Sequence, residues 1–144
     1  MNYGYACINE TLSSVRPKKN RVTTNRSMIK RTFKEKGINY ASELAVQNIR
    51  DLEKVLRWNE QNDIKFYRMS SDIFPWASEY DYEDLPDIGR IRQALTKIGI
   101  YAVDNGHRLT FHPGPFCCLA SPNESVVEKT YKELNNHSRI FDMM

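Results

Sequence analysis

Apolar positions along this chain follow two rhythms. Three short runs alternate apolar and polar residues and then stop on polar groups: Tyr5-Ala6-Cys7-Ile8-Asn9-Glu10, Phe66-Tyr67-Arg68-Met69-Ser70-Ser71-Asp72 and Arg108-Leu109-Thr110-Phe111-His112-Pro113-Gly114. The period of two predicts strands at the first run, at 64–70 and at 108–111. Elsewhere apolar residues recur every three or four positions, which predicts helices. Ala45, Ile49, Leu52 and Leu56 form one stripe behind Ser42 as N-cap, ended by residues 59–62. Ile88, Ile91, Leu95, Ile98 and Ala102 mark a second helix over 87–104, closed by Asn105-Gly106 as a left-handed stop. A third begins near Ser121-Pro122-Asn123-Glu124, capped by Ser121 or Asn123, and runs through Val127, Tyr131 and Leu134 toward Phe141. Residues 11–37 show no such period and contain Pro17 and Gly37 as breakers, so they predict a loop.

A strand, a loop and a helix, three times over, imply parallel strands joined by helical crossovers: an α/β fold in one domain over residues 1–144. A complete (β/α)8 barrel takes about 250 residues. The pattern therefore predicts either a compact three-strand domain or about the first three units of a TIM barrel. In both, chemistry collects at the carboxyl ends of the strands, where all three runs place polar groups.

Composition narrows this little: 40% of residues are hydrophobic and 27% charged, as in an ordinary globular chain. No stretch reaches the length of a membrane span, and Met1-Asn2-Tyr3-Gly4-Tyr5 lacks a signal-peptide layout, which predicts an intracellular protein without membrane contact. Cys7, Cys117 and Cys118 suit neither a disulfide framework nor a CxxC metal site, so they are expected to be reduced. Charge changes the picture more. Residues 16–36 carry nine basic side chains against the single acid Glu35, about +8 in a chain whose net charge is +3. Such a block is the electrostatic footprint of nucleic-acid phosphates, with Arg16, Lys18, Lys19, Arg21 and Arg26 as candidate contacts. A solvated basic loop has the same composition.

His112 closes its strand before Pro113-Gly114, where an imidazole is presented for metal ligation or proton transfer. A metal site needs three or more ligands, and only Asp72 and Glu10 are candidates to join it. His107 precedes the strand, at the opposite end of the sheet, and His137 reads as a surface or packing residue. Pro115-Phe116 offers a rigid turn with an aromatic ring, and Tyr5, Phe74 and Trp76 add aromatics to the same rim. Each can stack on bases or pack in the core. No glycine-rich phosphate loop, Walker motif or GxSxG elbow is present, which argues against nucleotide and serine hydrolases.

Several blocks together resemble a known family: Gly4-Tyr5-Ala6-Cys7-Ile8-Asn9, Asn48-Ile49-Arg50-Asp51-Leu52 with Trp58-Asn59, Tyr67-Arg68-Met69-Ser70-Ser71-Asp72-Ile73-Phe74-Pro75-Trp76-Ala77-Ser78, residues 106–114, and Ser121-Pro122-Asn123-Glu124-Ser125-Val126-Val127. In order and spacing they resemble the UV-damage endonucleases over nearly the whole chain. The resemblance implies a metal-dependent endonuclease on a TIM barrel that nicks DNA 5′ to UV photoproducts to start excision repair. It implies that His112 ligates a cluster of divalent ions, usually manganese, and that Tyr5 and Asn9 lie at the catalytic centre near the lesion. Pro115 and Phe116 stand where the family probes the damaged duplex, and Asp72, where some relatives carry histidine, can ligate or support a ligand.

Two departures stand out. The family has Gln-Tyr or Gln-Phe after the HPG block, where this chain has Pro115-Phe116, so a hydrogen-bonding amide is lost and the loop stiffened. The family's remaining ligands lie on later strands, so the chain alone is expected to be an inactive or weak nuclease, a truncated or split form that needs a second polypeptide. A non-catalytic DNA-binding module is the alternative, and a sugar isomerase of the same broad fold a more distant one.

Overall fold

The computed structural model describes residues 3–144. Three parallel strands, β1 (Gly4–Ala6), β2 (Phe66–Ser70) and β3 (Arg108–His112), form one sheet in the order β1-β2-β3. Tyr5 pairs with Tyr67 and Tyr67 with Leu109, while Met69 pairs with Phe111 and Ser70 with His112. Because side chains alternate along a strand, this register sorts the sheet into two faces. Tyr5, Tyr67, Met69, Leu109 and Phe111 share the face that packs into the core, where Tyr67 and Met69 are wholly buried. Phe66, Arg68, Ser70, Arg108, Thr110 and His112 share the other, on which Arg108 and His112 are exposed.

The core face is covered by α2 (Lys30–Gln61) and α3 (Ile88–Asp104). The stripe Ala45, Ile49, Leu52 and Leu56 is buried as its spacing predicts. Ile49, Leu52 and Leu56 each contribute roughly 1.5–3 kcal/mol by leaving water, and Ala45 lets the helix approach closely. Around α2 the structure departs from the sequence pattern in two ways. The helix starts at Lys30 rather than at Ser42, and is broken at Gly37, whose φ of 64° and ψ of −157° only glycine adopts at low cost. Its first turns are held by contacts distant in sequence. Phe33 stacks on Trp76 at 5.6 Å, and the Trp76 indole donates to the Met28 carbonyl at 2.8 Å. Ser42 is fully buried inside the helix and caps another one, since its hydroxyl accepts the Asp87 backbone N–H at 3.1 Å and donates to Asp87 Oδ2 at 2.9 Å.

The predicted loop at 11–37 is only partly a loop. Asn9 Oδ1 accepts the Leu12 N–H at 3.0 Å and starts the short α1 (Glu10–Ser13), and a 3-10 turn follows at Lys18–Asn20. Residues 23–26 are then tied to α2: Thr23 N–H donates to Asp51 Oδ2 at 3.1 Å, and Asn48 accepts from the Arg26 N–H at 2.9 Å and donates to its carbonyl at 3.0 Å. Side chains far along the chain satisfy the backbone here, which no local pattern reveals.

α3 and its stop at Gly106, with φ 66°, follow the prediction. α4 (Glu124–Asp142) is capped by Asn123, whose Oδ1 accepts the Ser125 N–H at 3.0 Å, while Ser121 accepts the Asn123 N–H instead. α4 joins the core through Ile140 and through His137, whose ring lies 4.2 Å from Phe111 and nearly parallel to it. No helix among the described residues is long and apolar enough to cross a membrane.

Candidate functional site

At the mouth of β1 the chain turns at Cys7, which takes a φ of 60°, and its carbonyl accepts the Tyr67 hydroxyl at 2.8 Å. The turn places Asn9 beside Tyr5. The Tyr5 phenol donates to Asn59 Oδ1 at 2.6 Å and accepts from Asn9 Nδ2 at 2.8 Å. Burial pushes its pKa up, and the hydrogen bonds to Asn9 and Asn59 pull the other way without cancelling it. At neutral pH Tyr5 is therefore a neutral phenol with both its proton and a lone pair engaged.

Beyond β3, Gly114 N–H donates to Glu133 Oε1 of α4 at 2.6 Å, and Cys118 N–H donates to Thr130 Oγ1 at 2.9 Å. Between these ties Phe116 is 89% exposed. The Cys117 thiol is pushed up to about 11, by burial and then by its hydrogen bond to the Glu133 carboxylate, so it stays protonated. Beyond β2, Ser70 Oγ accepts the Asp72 N–H at 3.2 Å. Asp72 is open to solvent on one side, yet burial on the other and the nearby Glu133 charge raise its pKa. These loops and α4 enclose a cleft of about 810 Å3 whose lining includes Asp72, Trp76, Phe116, Cys117, Glu133 and His137. Burial lowers the pKa of His137, and Glu133 opposes that shift.

The residues singled out in the sequence thus fall into separate groups. Tyr5 and Asn9 form one network, while Asp72 and Phe116 line the cleft beside α4. Exposed His112 projects from the opposite sheet face, and Pro115 and Glu10 are exposed. His107 is buried at the far end of β3, 2.8 Å from Glu60. Among the described residues no group of three or more His, Cys, Asp or Glu side chains is placed to hold a metal ion. The divalent centre implied by the resemblance is therefore not assembled by these residues.

Arg16, Lys18 and Lys19 are exposed, and Arg21 is half-buried against its own loop. Arg26 is engaged within the protein: its guanidinium contacts Asp51 Oδ2 at 2.6 Å and the carbonyls of Thr23 and Arg21 at 2.5 and 3.1 Å. Three residues that sequence reasoning missed organise these groups: Asn59, Thr130 and Glu133. Thr130, Glu133 and His137 lie at helical spacing on one face of α4, but nothing local distinguishes that Glu from the other charges of the helix.

The fold and the rim define a class: a parallel α/β protein whose polar and aromatic groups gather at the carboxyl ends of its strands. Within it, residues 1–144 match the family model UV-endonuclease UvdE, and the chain belongs to that family. It is 38% identical over 98% of its length to a protein of Acanthamoeba polyphaga mimivirus, 42% of which it covers. It is 37% identical over 98% of its length to the UV-damage endonuclease of Schizosaccharomyces pombe, 23% of which it covers. The crystal structure of SacUVDE superposes with a TM-score of 0.81 at 26% identity, over all of this chain and 46% of that one. The chain thus spans less than half the length of each of these relatives.

Proposed function

We propose that this chain forms the lesion-facing, amino-terminal part of a UV-damage endonuclease, its βα units being one arc of a TIM barrel that nicks DNA 5′ to UV photoproducts. The carrying observation is Phe116. An 89%-exposed ring between two hydrogen-bonded anchors, beside a cleft also lined by Trp76, presents its π-face to a partner arriving from solvent. An unstacked base or a distorted base step offers that partner. Pro115 stiffens the approach where the family's glutamine would donate hydrogen bonds, which favours recognition by shape and stacking.

Exposed Arg16, Lys18 and Lys19, with Arg21 beside them, supply phosphate contacts. Tyr5, fixed by Asn9 and Asn59, offers a neutral phenol near the strand mouths. A divalent ion, manganese by resemblance, would supply the hydrolytic chemistry, with His112 as one of its ligands. The described residues do not complete such a site.

The test is a fluorescent duplex carrying one pyrimidine dimer, incubated with the chain and Mn2+ and then with chelator, beside an undamaged duplex. As one part of the enzyme, the chain is expected to bind the damaged duplex preferentially and to nick it only weakly, in a metal-dependent way; full nicking confined to that duplex would overturn its being a part. The incomplete ligand group favours a second reading, a lesion-binding module without catalysis, for which the same assay shows preferential binding and no nicking. Equal, weak binding to both duplexes overturns both readings.

A further inference from the structure

We infer that Glu133, assisted by Thr130, is a positioning residue that aims the Pro115-Phe116 tip, so that α4 sets the direction of the aromatic probe. The inference rests on the proposed role of Phe116 in damage recognition. Segments that follow strand mouths are ordinarily the most mobile parts of a fold. Here two backbone N–H groups on either side of Phe116 end on side chains of a single helix: Gly114 on Glu133 Oε1 at 2.6 Å and Cys118 on Thr130 Oγ1 at 2.9 Å. The first bond is charge-assisted, hence shorter and stronger than an amide pair. Glu133 also lies over the α-carbon of Gly114, where an added Cβ would meet its two carboxylate oxygens at 3.3 and 3.4 Å.

The ties transmit a fixed geometry because α4 itself is fixed. His137, one turn beyond Glu133, stacks at 4.2 Å on Phe111 of β3, and Ile140 is 1% exposed. Phe111 immediately precedes His112, so the strand that presents the histidine and the helix that holds the loop are packed on each other. Phe116 points into solvent, and its direction follows from the backbone at 114 and 118 and from the φ that Pro115 fixes. A ring already aimed loses less freedom on meeting a duplex than one carried on a loose loop.

The experiment compares wild type, Glu133→Ala, Glu133→Gln, Thr130→Val and Phe116→Ala in two measurements. Amide hydrogen exchange reads the order of residues 113–119. Affinity for a dimer-containing duplex, divided by that for the undamaged duplex, reads discrimination. Glu133→Ala is expected to speed exchange at Gly114 and Cys117 and to lower discrimination roughly two- to tenfold toward the Phe116→Ala value, the size expected for releasing one ordered group. Glu133→Gln keeps an acceptor for Gly114 and restores most of the ratio, and Thr130→Val loosens Cys118 and lowers it partially. Should the Glu133→Ala chain fail to fold, the Gln and Thr130→Val variants still decide. Unchanged exchange in the variants, or faster exchange with undiminished discrimination, overturns the inference. A wild-type chain that binds both duplexes equally overturns the underlying reading, and is recognised as that failure because exchange still reports whether Glu133 braces the loop.

Discussion

Single side chains in this protein carry their effects through what they leave unpaired. Removing the Tyr5 hydroxyl strands Asn59 Oδ1 and Asn9 Nδ2, on an Asn59 whose Nδ2 is already buried without a partner. Tyr5→Phe is therefore expected to cost about 1–3 kcal/mol in urea unfolding. Asp72 behaves oppositely: burial on one side and the Glu133 charge raise its pKa, so ionisation is disfavoured in the folded chain. Asp72→Asn should leave stability undiminished or slightly higher near neutral pH, and a fall in melting temperature would contradict the arrangement. Titration of the tyrosines follows the same logic. Tyr5, Tyr67, Tyr80 and Tyr82 are all held above their ordinary value of 10.0, chiefly by burial. Above that pH the unfolded chain loses protons that the folded chain keeps. Stability should thus be insensitive to these groups below pH 10 and decline steadily above it, as read by denaturant midpoints across alkaline pH. His137, lowered by burial from 6.5, contributes the converse at the acid end: stability present above that value and lost as pH falls.

Among the elements, α2 has a start that no local signal marks and that rests on a segment distant in sequence. Its first turns pass through Gly37 and rest on Trp76 through Phe33. Gly37→Ala forces an L-residue to φ 64°, ψ −157° and is expected to cost about 1–3 kcal/mol. The change should also undock the segment, visible as altered Trp76 fluorescence. Gly89, inside α3 with open space where a Cβ would go, is the control: Gly89→Ala should be neutral or stabilising. The Asn123 cap of α4 and the α3 stop were legible in sequence because they depend on neighbours within a turn, whereas the stripe expected of α4 was not its buried face: Tyr131 and Phe141 are exposed, and Thr130, His137 and Ile140 turn inward. The start of α2 was not, because Ser42 looks like a cap yet serves Asp87.

On the scale of the whole molecule, charge divides into two jobs that the basic block conceals. Arg16, Lys18 and Lys19 face solvent, whereas Arg26 is built into the fold through Asp51, whose side chain is 5% exposed. Each phosphate neutralised contributes about 0.9 to the slope of log affinity against log salt. Replacing the three exposed cations together with alanine should therefore flatten that slope by about 3. Arg26→Ala should leave the slope nearly unchanged and lower the melting temperature, since it removes one of two cations from a nearly buried carboxylate and leaves Lys54 alone at 2.8 Å. A slope that responds to Arg26 and not to the other three would reverse the assignment.

The amino-acid sequence by itself determined the parallel α/β order, the buried stripes of α2 and α3, the strand mouths and, through blocks such as residues 67–78 and 106–114, the family, since these follow from local periodicity and contiguous residues. Only the tertiary structure decided that Tyr5 is locked to Asn59, that Arg26 holds a loop, and that Glu133 reaches Gly114. These pairs lie 54, 25 and 19 positions apart. Contacts at such separations are set by how α2 and α4 pack against the sheet, and no periodicity along the chain encodes them.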